Sequence, residues 1–394
     1  MTQVTICIPA YKAGDFIHHT VASALRQTYP HIIVKVAVEP PGTPERETLK
    51  QFASDPRLQV SVNTSRLGWA GNIASMLRTV ETPYFMVLPH DDLIHPDYVG
   101  TLLPHLARDP SVSVAYGDIQ LVAEGAIRRR RQILSEGDTF ERALSFFAAG
   151  AEAPPWRGVT RTSLLKEISF PNDAFQGFLV ECEWAFQLVL AGIAKRVPRT
   201  LYFKRWVAER SEHASLTRLQ VPAETIRAAL HDHRAKLRAH ASKTLAPSEH
   251  PAILAAIDTM IAKRALGHLT GEQTQDFIET MDNSVAVAPA SDSPAWRTLL
   301  AARLVVHALR AMQDGDIPRS ATLAAEATAL DSAHRDAFLL QSETYRTQGQ
   351  TLDALWAASA AFDTDPNAFE FGGTFDAIHR TLTTELNTSL LKVA

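Results

Sequence analysis

Over its first 120 residues the chain alternates short apolar, β-rich runs with stretches of helical periodicity, and few folds admit that pattern. VTICIPA (4–10) reads as a strand; in GDFIHHTVASALRQT, which follows, Phe16, Ile17, Val21, Ala24 and Leu25 recur at helical spacing. HIIVKVAVE (31–39) is apolar throughout, as expected of a strand covered on both faces. Thr43 is expected to cap a short helix with Pro44 at its first position, where a missing N–H costs nothing. LQVSVN (58–63), YFMVLP (84–89) and SVSVAY (111–116) supply further strands, with helices around 69–80 and from Pro96. The alternation predicts an α/β domain with a largely parallel sheet, whose ligands bind beyond the carboxyl ends of the strands.

At 394 residues, 46% hydrophobic and 21% charged, the chain has material for two or three domains. A formal charge of −4 offers no global attraction to nucleic acid or to an anionic membrane, so phosphate recognition has to be local. The N-terminus lacks the pattern of a signal peptide and no run reaches membrane-spanning length, which makes the cytosol the expected compartment. Cys7 and Cys182 are the only cysteines and form no CxxC, so reduced thiols are expected and a thiol nucleophile is not.

The polar residues gather where the strands end. YFMVLP runs directly into His90, Asp91 and Asp92. Two adjacent carboxylates repel one another, and a hard cation such as Mg²⁺ or Mn²⁺ between them and a phosphate relieves the repulsion. The alternative is that the pair caps the helix that follows.

VTICIPAYKAGDFIHHTVASALRQTYP, RLGWAGNIASML and YFMVLPHDD, in that order, resemble the successive motifs of glycosyltransferase family 2, the inverting GT-A enzymes that use nucleotide-diphosphate sugars. The resemblance extends to about residue 216. It implies that Pro9, Ala10 and Tyr11 pack on the donor's base and ribose, that Glu39 reads the base, and that Arg66 and Asn72 lie near base and pyrophosphate. Asp91 would face the ribose or metal side and Asp92 would bind the metal. Two positions depart from the family pattern: Pro89 stands where a further Asp is common, leaving His90 as a substitute ligand, a phosphate contact or a structural residue, and Glu39 stands where Asp is usual.

WRGVTRTSLLKEISFPNDAFQGFLVECEWAFQLVLAG has the family's later pattern, an Arg-bearing strand and then a helix opening with acidic residues. Counted back from Gly192, Glu181 falls at the place of the base that deprotonates the acceptor, with Glu183 on the flanking turn. The helix dipole favours acidic residues there without any function. In KRVPRTLYFKRWVAERSEHASLT, a strand followed by a basic loop, Arg205, Arg210 and His213 are candidates to meet the departing diphosphate. The run RRRR (128–131) fits a solvated hairpin or loop.

From residue 217 the chain turns Ala-rich and helical, and His231, His233 and His240 read as a polar helix face. VAPASDSP (287–294) reads as a linker. Beyond it Gly315, Ala324, Ala327 and Asp331 recur 34 positions later as Gly349, Ala358, Ala361 and Asp365. That period resembles tetratricopeptide repeats, helix pairs that bury their apolar faces on neighbours. The expected organisation is a GT-A domain (1–216), a helical linker domain (217–290) and an all-α tetratricopeptide-like module (291–394).

The reading is an inverting, divalent-metal-dependent transferase that moves a sugar from a nucleotide-diphosphate donor, UDP-linked, to a nucleophilic acceptor. The layout is similar to that of bacterial peptide S-glycosyltransferases, which favours a peptide or protein acceptor; a glycan acceptor in cell-envelope polysaccharide synthesis is the alternative. Two units are fewer than a free-standing solenoid needs, so a homodimer through the repeats is one expected partner. A nucleotidyltransferase would carry a Gly-rich, Arg-containing loop after the first strand, which PAYKAGDF lacks. A scaffold with a decayed sugar-binding domain is the remaining alternative.

Overall fold

The computed structural model describes residues 2–123, 126–130, 137–148, 150–151, 153–171, 179–205, 221–286, 293–364 and 383–384. Contacts divide the chain into two units, one of residues 1–146 and 151–215, the other of residues 147–150 and 216–394.

The first unit is built on one nine-stranded sheet. Its parallel half places β1 (Val4–Ala10) between β2 (Ile32–Val38) and β4 (Tyr84–Val87), with β3 (Leu58–Val62) at the edge beyond β2. All seven residues of β1 are buried, whereas four of the five residues of edge strand β3 are exposed. Three helices connect these strands: α1 (Phe16–Leu25), α2 (Thr43–Leu49) and α3 (Gly68–Leu77). The α1 residues Ile17, Val21, Ala24 and Leu25 enter the core, as their spacing predicts. Gly42, just before α2, has φ of +54°, and a Cβ there would lie 2.4 Å from Val38, so only glycine fits this turn.

After the two-residue β5 (Leu93–Ile94) and α4 (Tyr98–Arg108) come β6 (Val112–Ala123), β7 (Ala126–Arg130), α5 (Thr139–Ala148), β8 (Val159–Arg161), α6 (Val180–Ala191) and β9 (Ile193–Arg205). Strand β8 is antiparallel to both β4 and β6, and β9 runs parallel to β6. Arg128–Arg130 pair with β6 as the return strand of a hairpin.

The expected strand VTRTSLLKEI stops at Arg161 and continues as a 3-10 turn over Thr162–Lys166. Arg161 explains the stop: its guanidinium donates to the carbonyls of Val112 (2.7 Å), Asp109 (2.6 Å) and Leu106, closing the carboxyl end of α4 rather than reaching a site.

The second unit is helical: α7 (Ala223–Thr244), α8 (His250–His268), α9 (Gln275–Ala286), α10 (Pro294–Gln313), α11 (Ile317–Leu330), α12 (Arg335–Thr347) and α13 (Thr351–Thr364). The recurring residues occupy matched places. Ala324, Ala327, Ala358 and Ala361 are buried, and Gly315 and Gly349 turn the chain at φ of +80° and +73°. Small side chains there let neighbouring helices approach closely. Asp365 lies outside the described residues.

Side chains tie the helices before residue 290 to those after it. Arg303 and His307 of α10 meet Asp282 of α9, and Lys263 of α8 pairs with Asp336 of α12. No helix among the described residues is long and apolar enough to cross a membrane.

Candidate active site

The carboxyl ends of β1, β2 and β4 bring the candidate donor residues to one edge of the sheet. The Glu39 amide donates to the Ala10 carbonyl (2.9 Å), and His90 Nδ1 lies 3.2 Å from the Pro9 carbonyl. Glu39 is 2% exposed. Its Oε1 accepts from the Leu67 amide (2.7 Å) and its Oε2 lies 3.9 Å from Arg66 Nε. The Arg66 guanidinium sits 4.3 Å from the centre of the Tyr11 ring. Tyr11, Arg66 and Glu39 therefore form one group, with a charged plane stacked on an aromatic face. Asn72 is buried and structural, donating to the Ala37 carbonyl (3.0 Å) and accepting from Asn63 (3.0 Å).

Asp92 is buried among partners from distant parts of the chain. Its side chain, 2% exposed, is spent on the protein itself: Tyr202 Oη donates to Oδ2 at 2.7 Å and the Arg205 amide to Oδ1 at 3.0 Å. Arg157 Nε lies 3.6 Å from Oδ2. Burial pushes the Asp92 carboxyl above its ordinary range, against the pull of Arg157, while Asp91 pushes it the same way. Both Asp92 oxygens thus accept a hydrogen bond from the protein, and Asp91 is half-buried on the same turn. Thr20 Oγ1 holds that turn from below, donating to the carbonyls of His90 (2.7 Å) and Asp92 (2.9 Å).

Arg157 and Tyr202 were not anticipated. Arg157 ends a buried 3-10 turn, Pro154–Arg157, that precedes β8. Because β8 runs against β4, that turn reaches the carboxyl end of β4 beside the acidic pair. Arg157 stacks over the rings of Trp156 (4.5 Å) and Tyr202 (5.6 Å). A Trp-Arg pair just before a strand was the only local sign, and it does not say which strand end it will meet.

Helix α6 packs on the same turn, and its first turn carries Glu181, half-buried, and Glu183, 6% exposed. The helix starts from Leu179 at φ of +62°. Arg205 ends β9 with its guanidinium 4.1 Å from the Phe16 ring. Arg210 and His213 lie outside the described residues. Cys7 is fully buried, which pushes its thiol up to about 12 and leaves it unreactive.

As to a metal, no group of three or more His, Cys, Asp or Glu among the described residues could hold one. The residues fit a cation anchored on the turn of Asp91 and Asp92, whose other ligands would come from a diphosphate.

Residues 5–169 match the family model of glycosyl transferase family 2. No curated protein sequence matches the chain. Among solved structures, S. aureus TarS 1-349 in complex with UDP-GlcNAc aligns with a TM-score of 0.57 at 17% identity, over 83% of this chain and 91% of that one. The same protein in complex with UDP aligns with a TM-score of 0.50 at 15% identity, over 88% and 92%. At such identities the likeness speaks for the GT-A fold alone.

Proposed function

We propose that the first unit transfers a sugar, with inversion, from a nucleoside diphosphate donor to an oxygen or sulfur nucleophile, and that the donor is UDP-linked. The arrangement that supports this most is the single sheet edge that holds the Tyr11–Arg66–Glu39 group, the acidic turn and the turn on which α6 packs. The base stacks on Tyr11 and its edge is read at Glu39. Asp91 would hold Mg²⁺ or Mn²⁺, which would supply positive charge beside the leaving diphosphate. Arg205 stands beside the acidic turn to meet the same charge. The UDP complexes of TarS support the choice of nucleotide.

Glu181 is the base. A carboxylate at the start of α6 takes the acceptor proton while the nucleophile attacks the anomeric carbon from the face opposite the diphosphate. One bond forms to the acceptor as the bond to diphosphate breaks, and the electron pair leaves with UDP. The helical unit, read as tetratricopeptide-like, serves self-association.

Glu181→Gln keeps size and much of the hydrogen bonding but accepts no proton. Turnover of a hydroxyl acceptor should fall by about 10²-fold or more, with UDP affinity measured by calorimetry nearly unchanged. A thiol acceptor blunts the loss, since thiolate is already partly populated near neutral pH. Full activity on a hydroxyl acceptor would transfer the role to Glu183, and lost UDP binding would make Glu181 structural.

A further inference from the structure

The loop that carries Tyr11 joins the end of β1 at Ala10 to the start of α1 at Phe16. Two of its residues lie in the left-handed region, Lys12 at φ of +47° and Gly14 at φ of +56°. Glycine adopts that conformation freely, but for lysine it is unfavourable and persists only where neighbouring contacts hold it. Those contacts stand on either side of Lys12. On one side the Ala10 carbonyl accepts from the Glu39 amide at 2.9 Å. On the other the Ala13 amide donates to Glu45 Oε1 at 2.8 Å, and the Ala13 carbonyl accepts from the Phe16 amide at 3.2 Å.

Both outside partners come from one stretch of chain, since Glu39 follows β2 and Glu45 is the third residue of α2. The Gly42 turn between them brings the start of α2 against the end of β2, close enough that a Cβ on Gly42 would meet Val38. Glu45 is 3% exposed and Ala13 1%. A carboxylate is costly to bury, and the charge-assisted hydrogen bond to a backbone amide offsets part of that cost. Tyr11 lies between the two pinned points. Its half-buried ring faces the Arg66 guanidinium at 4.3 Å and Lys12 Nζ at 5.4 Å.

We propose that Glu45 is a positioning residue for the nucleotide: by holding the Ala13 amide it keeps the loop in its left-handed course and fixes the Tyr11 ring where the base stacks. This rests on the donor reading above and adds a residue to it. Stacking depends on the separation and tilt of the two rings, so a small displacement of Tyr11 weakens it. Without an acceptor at Glu45, the Ala13 amide has to find water and Lys12 is released to the ordinary φ region, which turns the chain at its neighbour Tyr11.

The test separates reach from charge. Glu45→Gln keeps an oxygen within reach of the amide and loses the charge, whereas Glu45→Asp keeps the charge and falls a methylene short. The full chain with Mn²⁺ is titrated with UDP by calorimetry and with uridine by saturation-transfer NMR. Glu45→Ala and Glu45→Asp should weaken both ligands by roughly tenfold, and Glu45→Gln should stay within about twofold of the wild type. In a Tyr11→Ala background, Glu45→Asp should have no further effect, because its influence passes through that ring. If Glu45→Ala does not fold, the contrast between Gln and Asp still decides. Unchanged UDP affinity in Glu45→Asp overturns the proposal. So does a loss of equal size with and without Tyr11, which would make the hydrogen bond a matter of stability alone, and so does a loss for UDP that uridine does not share. A wild type that binds neither ligand, or a Tyr11→Ala variant that binds UDP as the wild type does, would overturn the donor reading itself, and the role of Glu45 with it.

Discussion

In the sheet unit, the buried polar groups near the strand ends are satisfied by partners far away in the chain, as Asp92 is by Tyr202, Arg205 and Arg157. In the helical unit the repeated core positions are alanines, and neighbouring helices are stitched by small hydroxyls. Ser320 donates to the Ala308 carbonyl (2.9 Å) and Ser342 to the Ala354 carbonyl (2.8 Å). The first arrangement needs several elements in place at once and fixes a site. The second is local, repeats itself, and leaves its function to the faces it exposes.

The largest expected effect tests the first half of that contrast. Asp92→Ala removes the acceptor for Tyr202 and Arg205 and the carboxylate beside Arg157, which should cost about 3–5 kcal/mol in urea unfolding. Asp91→Ala should cost within about 1 kcal/mol and instead abolish the effect of Mn²⁺ on UDP affinity in calorimetry. The opposite result, a stable Asp92→Ala that no longer responds to Mn²⁺, would restore Asp92 as the cation's ligand and undo the distinction between the two carboxylates.

The same contrast governs what could be read from the sequence. β1 and β2 were legible from their continuous apolar runs and α1 from its helical spacing, and β1 spans Val4–Ala10 as its apolar run suggests. The alanine repeat was legible from its period. Asp92 was not: the residue that takes its Oδ2 is 110 positions away, and nothing in HDD tells which distant partners a carboxylate will meet. The ring contacts of Trp69 with Trp156 and Phe170, and of Phe170 with Trp184, were hidden likewise, since the four residues come from four segments. His233 was misread for a related reason. Polar residues at helical spacing suggested a solvated face, yet His233 is 4% exposed, while His231 pairs with Asp276 at 3.1 Å.

His233 gives the second prediction, through pH. Burial, then Arg264, Lys236 and His240, hold its imidazole well below the ordinary histidine range, and Nε2 has no hydrogen-bond partner. A depressed imidazole means that the unfolded chain takes up the proton first. The contribution is whole above the unfolded value near 6.5 and is lost as pH falls below it. Burial lowers His334 as well. Asp92 behaves oppositely: its raised carboxyl makes the sheet unit lose stability as pH rises from the ordinary carboxylate value of 3.8 through its own. Between pH 7 and pH 5 the helical unit should lose on the order of 1–2 kcal/mol, followed by calorimetry, and His233→Leu should flatten most of that slope. A slope unchanged in His233→Leu would assign it to His334 or to the exposed charges.

The smallest effect on stability belongs to α13, and it bears on what the exposed faces of the helical unit are for. Trp356 is 67% exposed and Leu352, one turn earlier on the same face, 54%. Together they offer on the order of 250 Å² of apolar surface, well short of the roughly 800 Å² that each partner buries in a stable complex. They can be the centre of a contact but not the whole of it. If a second copy covers this face, sedimentation of the full chain should show a concentration-dependent dimer. Trp356→Ser with Leu352→Ser should then weaken it by about 10²-fold, because central aromatic residues carry much of an interface's energy. Chain stability should move by no more than about 0.5 kcal/mol, since neither side chain is buried in the fold. A wild type that sediments as a monomer at every concentration would overturn self-association, and a double variant that unfolds would mean that the two side chains belong to the core of the repeat.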